Sequence, residues 1–332
     1  MTNLISIVIP AFNAEGTIAE VVEAARNQDL AEELEVIVVD DGSIDQTAAK
    51  AQGVGARVIR QTNRGPAAAR NTGWRAARGE LILFTDSDCR PQLDWARNLV
   101  AGFSSSAVGA VAGSYGIWNR RSWLARQIHK EIVNRHARMG EFVRAFGSYN
   151  AAIRKDVLEK LNGFNEAYQM ASGEDNDLSY RILKEGFTIG FRREALVDHL
   201  HQESLYRYLK EQARHGYWRM LIYRTHPRMM TGDDYTGAKD IAEPPLALTL
   251  LALGLGSVIM DGTLTNFALG LALLYCLLQV VPLMGEVWNT AGNNRWPYAG
   301  VTFLRGFARG LGMAAGIVRF GLKNPIRQVG SS

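Results

Sequence analysis

The chain has 332 residues, 47% of them hydrophobic and 21% charged, with a formal net charge of +4. That length can bury a sizeable core and hold more than one structural region, and that composition excludes both a disordered chain and one wholly embedded in a membrane. The positive excess is small and gathers toward the C-terminus, so nucleic acid is not an expected partner.

The two cysteines, Cys89 and Cys276, fit a reducing compartment and offer neither a disulfide framework nor a metal knuckle. Met1-Thr2-Asn3 lacks a basic n-region, and the first apolar run soon reaches Pro10, so no signal peptide is expected. Leu4 to Ile9 is apolar and β-branched and ends at Pro10-Ala11-Phe12-Asn13, which predicts a strand followed by a loop. Thr17 to Arg26 carries Ile18, Val21, Val22 and Ala25 at helical spacing. Glu35 to Val39 reads as a second strand running into Asp40-Asp41-Gly42-Ser43, Asp45 to Ala51 as a helix, Arg57 to Ile59 as a third strand, and Ala67 to Ala77 as an Ala-rich helix after Gly65-Pro66. Strands alternating with short helices predict a doubly wound, mostly parallel α/β sheet.

Leu81 to Phe84 is too short an apolar run for a helix and reads as a strand buried on both faces. It leads into Asp86-Ser87-Asp88. Ligands of open α/β sheets sit beyond the carboxyl ends of strands, and two acidic side chains there suit a hard divalent cation that bridges phosphates. Asp-x-Asp alone is also an ordinary polar turn. With Asp41 after a neighbouring strand and Arg70 on the intervening helix, the set points to a nucleoside diphosphate site with a metal. The structural alternatives are helix capping for Asp41 and a solvated helix position for Arg70.

In order, Ser6 to Asn13, Glu35 to Ser43, Ala69-Arg70-Asn71 and Asp86-Ser87-Asp88 resemble the GT-A fold, family 2 glycosyltransferases of membrane-anchored bacterial type, over roughly the first two thirds of the chain. The resemblance implies a Rossmann-like catalytic domain, a nucleotide-diphosphate sugar as donor, and Mg2+ or Mn2+. It implies that Pro10 and Phe12 lie near the base, that Asp41 hydrogen-bonds it, that Arg70 holds the nucleotide, that Asp86 contacts the ribose or metal, and that Asp88 binds the metal.

Val108 to Tyr115 reads as a further strand and Arg120 to Met139 as a long basic helix. Phe146 to Ile153 and Leu161 to Glu166 resemble the family segments that line the acceptor side. Leu178 and Ile182 share a helix face, which predicts a helix from near Asp177 with Glu174 and Asp175 in or just before its first turn. Acidic residues there also complement the helix dipole. After Asp86-Ser87-Asp88, Glu174-Asp175 resembles the family's catalytic pair. That implies Asp175 as the general base in an in-line displacement with inversion. His199 and His201 point to one side if Val197 to Leu205 is extended. A C-terminal histidine completes the metal site in GT-A enzymes, so both are candidate ligands, against a structural role. Gln212 to Trp218 lacks the Gln-x-x-Arg-Trp pattern of processive synthases, which disfavours processive extension.

After Pro227 the composition shifts. The expected organisation is a GT-A domain over 1–228, a polar linker over 229–243 and a membrane-associated region over 244–332. Residues 244–260 and 264–284 are candidate transmembrane segments, the second long enough for a span of about 17–25 residues. A re-entrant hairpin or a buried helix pair are the alternatives. Lys239 and Arg295 flank the two runs, which predicts a catalytic domain on the cytoplasmic side of the membrane. Over 301–323, Arg305, Arg309, Arg319 and Lys323 fall within an arc of about 80° at helical periodicity, which predicts an amphipathic helix with its basic stripe on lipid head groups. A soluble helix packed on the catalytic domain would show the same pattern. The expected function is sugar transfer to a lipid-linked or cell-envelope glycan. The alternatives are a nucleotidyltransferase, for which residues 10–16 lack a basic phosphate loop, and a non-catalytic nucleotide-sugar-binding membrane scaffold.

Overall fold

The computed structural model describes residues 4–170, 172–232, 234–259, 265–284 and 295–321. Internal contacts divide the chain into two units, Met1–His201 and Gln202–Ser332.

The first unit is built on one sheet with strands β1 (Leu4–Ala11), β2 (Glu33–Asp40), β3 (Arg57–Arg60), β4 (Leu81–Thr85), β5 (Cys89–Pro91), β6 (Val108–Ile117), β7 (Phe142–Val143), β8 (Asn150–Arg154) and β9 (Thr188–His199). Its helices are α1 (Ile18–Arg26), α2 (Thr47–Gly53), α3 (Pro66–Ala76), α4 (Trp95–Val100), α5 (Trp123–His136), α6 (Lys155–Lys160) and α7 (Glu174–Lys184). The strand order is β3-β2-β1-β4-β8-β6-β9-β5, with β7 paired to β9. Strand alternation sends Ile5, Ile7 and Ile9 into a core with Ile18, Val21 and Val22 of α1. Val8, Ile37 and Val39 go to the other face with Ala67, Ala69 and Trp74 of α3. Both faces of the first strands are therefore covered by helices, which is why they read as unbroken apolar runs.

Strand β1 runs two residues beyond the expected Ile9. Pro10 is accommodated because β4 pairs only as far as Val8, while β2 stays in register through Pro10↔Val39 and Ala11↔Asp40.

The expectation of a mostly parallel sheet needs correction, because the sheet is mixed. Strands β1 to β4 are parallel, but β8 runs antiparallel to both β4 and β6. The register gives the reason. Strand β6 ends at Ile117 beside His199, and β8 starts at Asn150 beside Thr85. The chain leaves and re-enters the sheet at the same edge, so no right-handed crossover turns β8 parallel. That edge also holds the carboxyl ends of β1, β2 and β4.

The second unit holds α8 (Leu205–Thr225), a 3-10 turn at Pro227–Thr231, α9 (Ala238–Ile259), α10 (Thr265–Met284) and α11 (Arg295–Gly321). Helix α8 packs along α11, where Gly216 and Gly312 leave room for the backbone of the opposite helix. The division thus falls at His201/Gln202, whereas the sequence suggests 228, because α8 finds its partner in the C-terminal helices. The polar link ends in helix: α9 begins at Ala238 and carries Pro244 and Pro245 inside it.

The lipid-facing basic stripe is also corrected. Arg305 is 2% exposed and lies 3.6 Å from Glu243 of α9. Arg309 pairs with Asp240 at 3.1 Å and donates from Nε to Gln212 Oε1 at 2.8 Å. Periodicity shows that the arginines share a face, but the acids of α9 decide which way that face turns. Arg319 is exposed, and Lys323 lies outside the described residues. By length and composition, Ala238–Ile259 and Pro297–Gly321 could each cross a membrane. The apolar side chains Leu251, Leu255, Val258, Phe267 and Leu273 of α9 and α10 are exposed.

Candidate active site

Strand β2 ends in Asp40-Asp41, and the two carboxylates do different work. Asp40 accepts from Ser43 N at 3.0 Å and from Arg60 Nε at 3.0 Å, so it holds its own turn. Asp41 does not cap α2. It accepts from Gln61 Nε2 at 2.6 Å, Arg64 N at 3.0 Å and Gly65 N at 2.8 Å, which folds the 61–65 loop over the strand end. Gly65, at φ +90°, makes the left-handed turn into α3 that this requires. Phe12, just past β1, is 51% exposed, an unusual state for a phenylalanine at the end of a buried strand. The next residue, Asn13, accepts from Ile44 N at 3.1 Å and donates its own backbone amide to Ser43 Oγ at 2.9 Å, tying the β1 and β2 loops together.

Arg70, on α3, is 2% exposed, which removes the solvated alternative. Its Nη2 donates to Asp86 Oδ1 at 2.6 Å and its Nη1 to Glu174 Oε1 at 2.9 Å, with the guanidinium over the Phe164 ring. Burial opposes its charge, but Asp86 and then Glu174 hold it protonated above its ordinary value. Arg70 therefore ties the Asp-x-Asp turn to the start of α7.

Helix α7 begins at Glu174, three residues before the expected Asp177, because Gly173 caps it at φ 99°. Glu174 is 2% exposed and also accepts from Ser172 N at 2.8 Å. Asp175 is partly exposed and accepts from Asn176 N at 2.8 Å. Burial, and for Glu174 the neighbouring Asp175 carboxylate, push this pair above the usual carboxylate range, with Arg70 opposing. An ionised carboxylate whose proton affinity is raised is a better proton acceptor than an ordinary surface aspartate.

Beyond β4, Asp88 Oδ2 lies 3.6 Å from His199 Nε2 at the end of β9. Burial works against the Asp88 charge, yet His199 and local hydrogen bonds hold its carboxyl below the usual range. Cys89 Sγ is buried and donates to Asp88 Oδ1 at 3.5 Å. Burial, then Asp88 and Asp86, raise its pKa, so the thiol stays protonated. Asp88, Cys89 and His199 offer ligand atoms within 4.8 Å of one another. The donors of that group that suit Mg2+ or Mn2+ are the Asp88 carboxylate and the His199 imidazole, and not the protonated sulfur; Asp86 lies outside the group, two residues before Asp88. The residues present therefore fit such an ion.

His201 is placed differently from His199. Its ring is 3% exposed and its Nδ1 is 2.9 Å from Nδ1 of His199. Burial, then His199 and His129, push its pKa down to about 2. The histidines sit in an aromatic cluster: Tyr115 stacks on Tyr149 with centroids 3.9 Å apart and on His199 at 5.0 Å. Sequence reasoning did not single out Tyr115, Tyr149, Cys89 or the 61–65 loop. Strand alternation beside the Asp-x-Asp turn could have suggested Tyr115, but the loop residues carry no such signal.

Residues 6–162 match the family described as Glycosyl transferase family 2. The chain is 30% identical over 224 residues to a pre-mycofactocin glycosyltransferase of Mycobacterium tuberculosis, covering 64% of this chain and 46% of that protein. It is 40% identical over 257 residues to the uncharacterized glycosyltransferase EpsJ of Bacillus subtilis, covering 72% and 66%. The chain thus spans about half of the mycobacterial relative, whose length it covers to 46%. Among solved structures, a mannosyltransferase from Pyrobaculum calidifontis in complex with GDP-Man and Mn2+ is similar with a TM-score of 0.59, covering 94% of this chain and 86% of that one at 18% identity. That likeness carries the GT-A-like fold.

Proposed function

We propose that this chain, a member of Glycosyl transferase family 2 through residues 6–162, transfers a sugar from a nucleotide-diphosphate donor to an acceptor hydroxyl with inversion at the sugar carbon. The observation that carries the proposal is Arg70. Its two ion pairs hold Asp86 and Glu174, far apart in sequence, in one cluster at the sheet edge where nucleotides are bound. Asp175, next to Glu174, is the base: its carboxylate takes the proton of the acceptor hydroxyl as that oxygen attacks the sugar carbon and the bond to the diphosphate breaks. Exposed Phe12 offers a face for the base of the nucleotide, beside Pro10, and Asp41 shapes the loop against which that base would lie. Asp88 and His199, with Asp86, would hold Mg2+ or Mn2+, which when bound offsets the charge left on the departing diphosphate.

The acceptor we propose is a lipid-linked or cell-envelope glycan, with the catalytic domain on the cytoplasmic side of the membrane. The exposed apolar side chains of α9 and α10 support membrane association, as do the two helices of spanning length. The ionic contacts of α11 with α9 argue for packed helices over a lone interfacial helix.

The test is the Asp175→Asn variant, which keeps size and hydrogen bonding but cannot take a proton at neutral pH. Transfer should fall by about 10²–10⁴-fold while binding of donor with Mn2+ stays near wild type. Near wild-type transfer by this variant would remove Asp175 from the role.

A further inference from the structure

We infer that His201 is a positioning residue: its Nδ1 accepts the Nδ1–H of His199 and so leaves the Nε2 lone pair of His199 for the divalent cation beside Asp88. The inference rests on the metal-dependent function proposed above and separates the roles of two histidines that sequence alone treats as equal.

The two Nδ1 atoms lie 2.9 Å apart. At that separation one proton lies between them, carried by one ring or the other. Suppose His201 carries it. A neutral His199 then has its own proton on Nε2, facing Asp88 Oδ2 at 3.6 Å, and an N–H nitrogen cannot bind a cation. Suppose instead that His199 carries it. Its Nε2 then presents a lone pair beside the Asp88 carboxylate, which is the arrangement a cation needs. Metal-binding histidines generally donate their second ring N–H to an acceptor that fixes tautomer and orientation. Here the acceptor is another imidazole.

His201 is built to be held and not to ligate. Its backbone is clamped by one side chain, since its N–H donates to Asn119 Oδ1 at 3.1 Å and its carbonyl accepts from Asn119 Nδ2 at 2.7 Å. Its remaining ring nitrogen, Nε2, is buried and has no hydrogen-bond partner. The neighbouring ring of His129, with its centroid 5.6 Å away, has a buried Nδ1 in the same condition.

The experiment measures Mn2+ affinity of the full chain, with a nucleoside diphosphate present, for three variants, and the His199 tautomer in the Mg2+-bound protein by 15N NMR. His201→Leu removes the acceptor and should weaken Mn2+ binding about 10–100-fold. His201→Asn places an amide oxygen near the former Nδ1 and should stay within about threefold of wild type, since the second-sphere contact is kept. His199→Ala should lose at least as much as His201→Leu. With Mg2+ and the nucleoside diphosphate bound, His199 should carry its proton on Nδ1. Wild-type Mn2+ affinity in His201→Leu, or equal losses in the Leu and Asn variants, would overturn the role of His201, as would a proton on His199 Nε2. Wild-type affinity in His199→Ala would instead remove the metal site, and the inference with it.

Discussion

Replacing Arg70 by methionine removes the tie between the Asp-x-Asp turn and the start of α7. Arg70 and Glu174 are 2% and 3% exposed, and Asp86 is 31% exposed. Removing one partner of a buried ion pair costs about 3–5 kcal/mol, because the other charge stays buried without compensation. The Glu174 end carries that cost; the Asp86 end, about a third exposed, adds little. Glu174 can relieve part of the penalty by taking up a proton, since burial and Asp175 already raise its pKa, so the lower end of the range applies. For a unit near 200 residues, each kcal/mol shifts Tm by about 2–4 °C, so Arg70→Met should lower the Tm of that transition by roughly 6–12 °C. The assay is thermal unfolding of the full chain followed by near-UV circular dichroism. The double variant Arg70→Met/Glu174→Gln has no orphaned carboxylate at that position and should recover most of the loss. A single-variant Tm within about 1 °C of wild type would refute a structural tie, given the magnitude set by burial. So would a double variant no better than the single.

Four further outcomes follow from the same geometry. The Glu174/Asp175 pair titrates above the usual carboxylate range, and the base must be ionised, so kcat/KM should fall on acidification before ordinary carboxylates titrate; a rate flat down to the usual carboxylate range would refute this. Stability runs the opposite way: an acid whose folded pKa is raised holds its proton longer folded than unfolded, so stability is greatest at low pH and declines as pH rises through that window. Glu174→Gln should flatten this part of a denaturant-stability profile. Arg305→Met should destabilise the second unit by about 3–5 kcal/mol, while Arg305→Met/Glu243→Gln should be nearly neutral; chemical denaturation would show it, and binding to anionic vesicles should be unaffected because Arg305 is buried. Asp41→Ala should lose about 3 kcal/mol through its charged hydrogen bonds and expose residues 61–65 to limited proteolysis; an unchanged digestion pattern would show that the loop holds itself.

Most of the first β-α units were legible because β1, β2 and β4 are buried on both faces and α1 is short and amphipathic. Strand β5, Cys89–Pro91, was not, since three residues show no periodicity and pair only with β9. The direction of β8 was not legible either. Direction depends on which edge the preceding segment leaves and enters, and residues 118–149 give no local sign of it. The site was legible as motifs and illegible as contacts. Nothing around Arg70 in sequence distinguishes an arginine that faces solvent from one that spans Asp86 and Glu174. The same gap inverted the C-terminal helix: Arg305 and Arg309 share a face, but Asp240 and Glu243, far away in sequence, determine that it points inward.

The acids at the sheet edge can be sorted by what already occupies them. Asp40 is taken by Ser43 and Arg60, Asp41 by three donors of the 61–65 loop, and Glu174 by Arg70 and Ser172. Asp86 gives one oxygen to Arg70. Asp40, Asp41 and Glu174 each have both oxygens engaged and serve chiefly to hold loops in place, whereas Asp86 keeps its second oxygen for a ligand. Asp88 and Asp175 differ. Asp88, 48% exposed at its side chain, faces His199, and Asp175 is partly exposed with contacts only to backbone amides among its hydrogen bonds. One is held below the usual carboxylate range and the other above it. A low-pKa carboxylate suits a cation ligand and a raised one suits a proton acceptor, which supports the roles proposed for these two acids. Arg70 pairs with Asp86 on one side and Glu174 on the other, so its charge lowers the cost of holding the acid of the turn and the acid of α7 in one cluster.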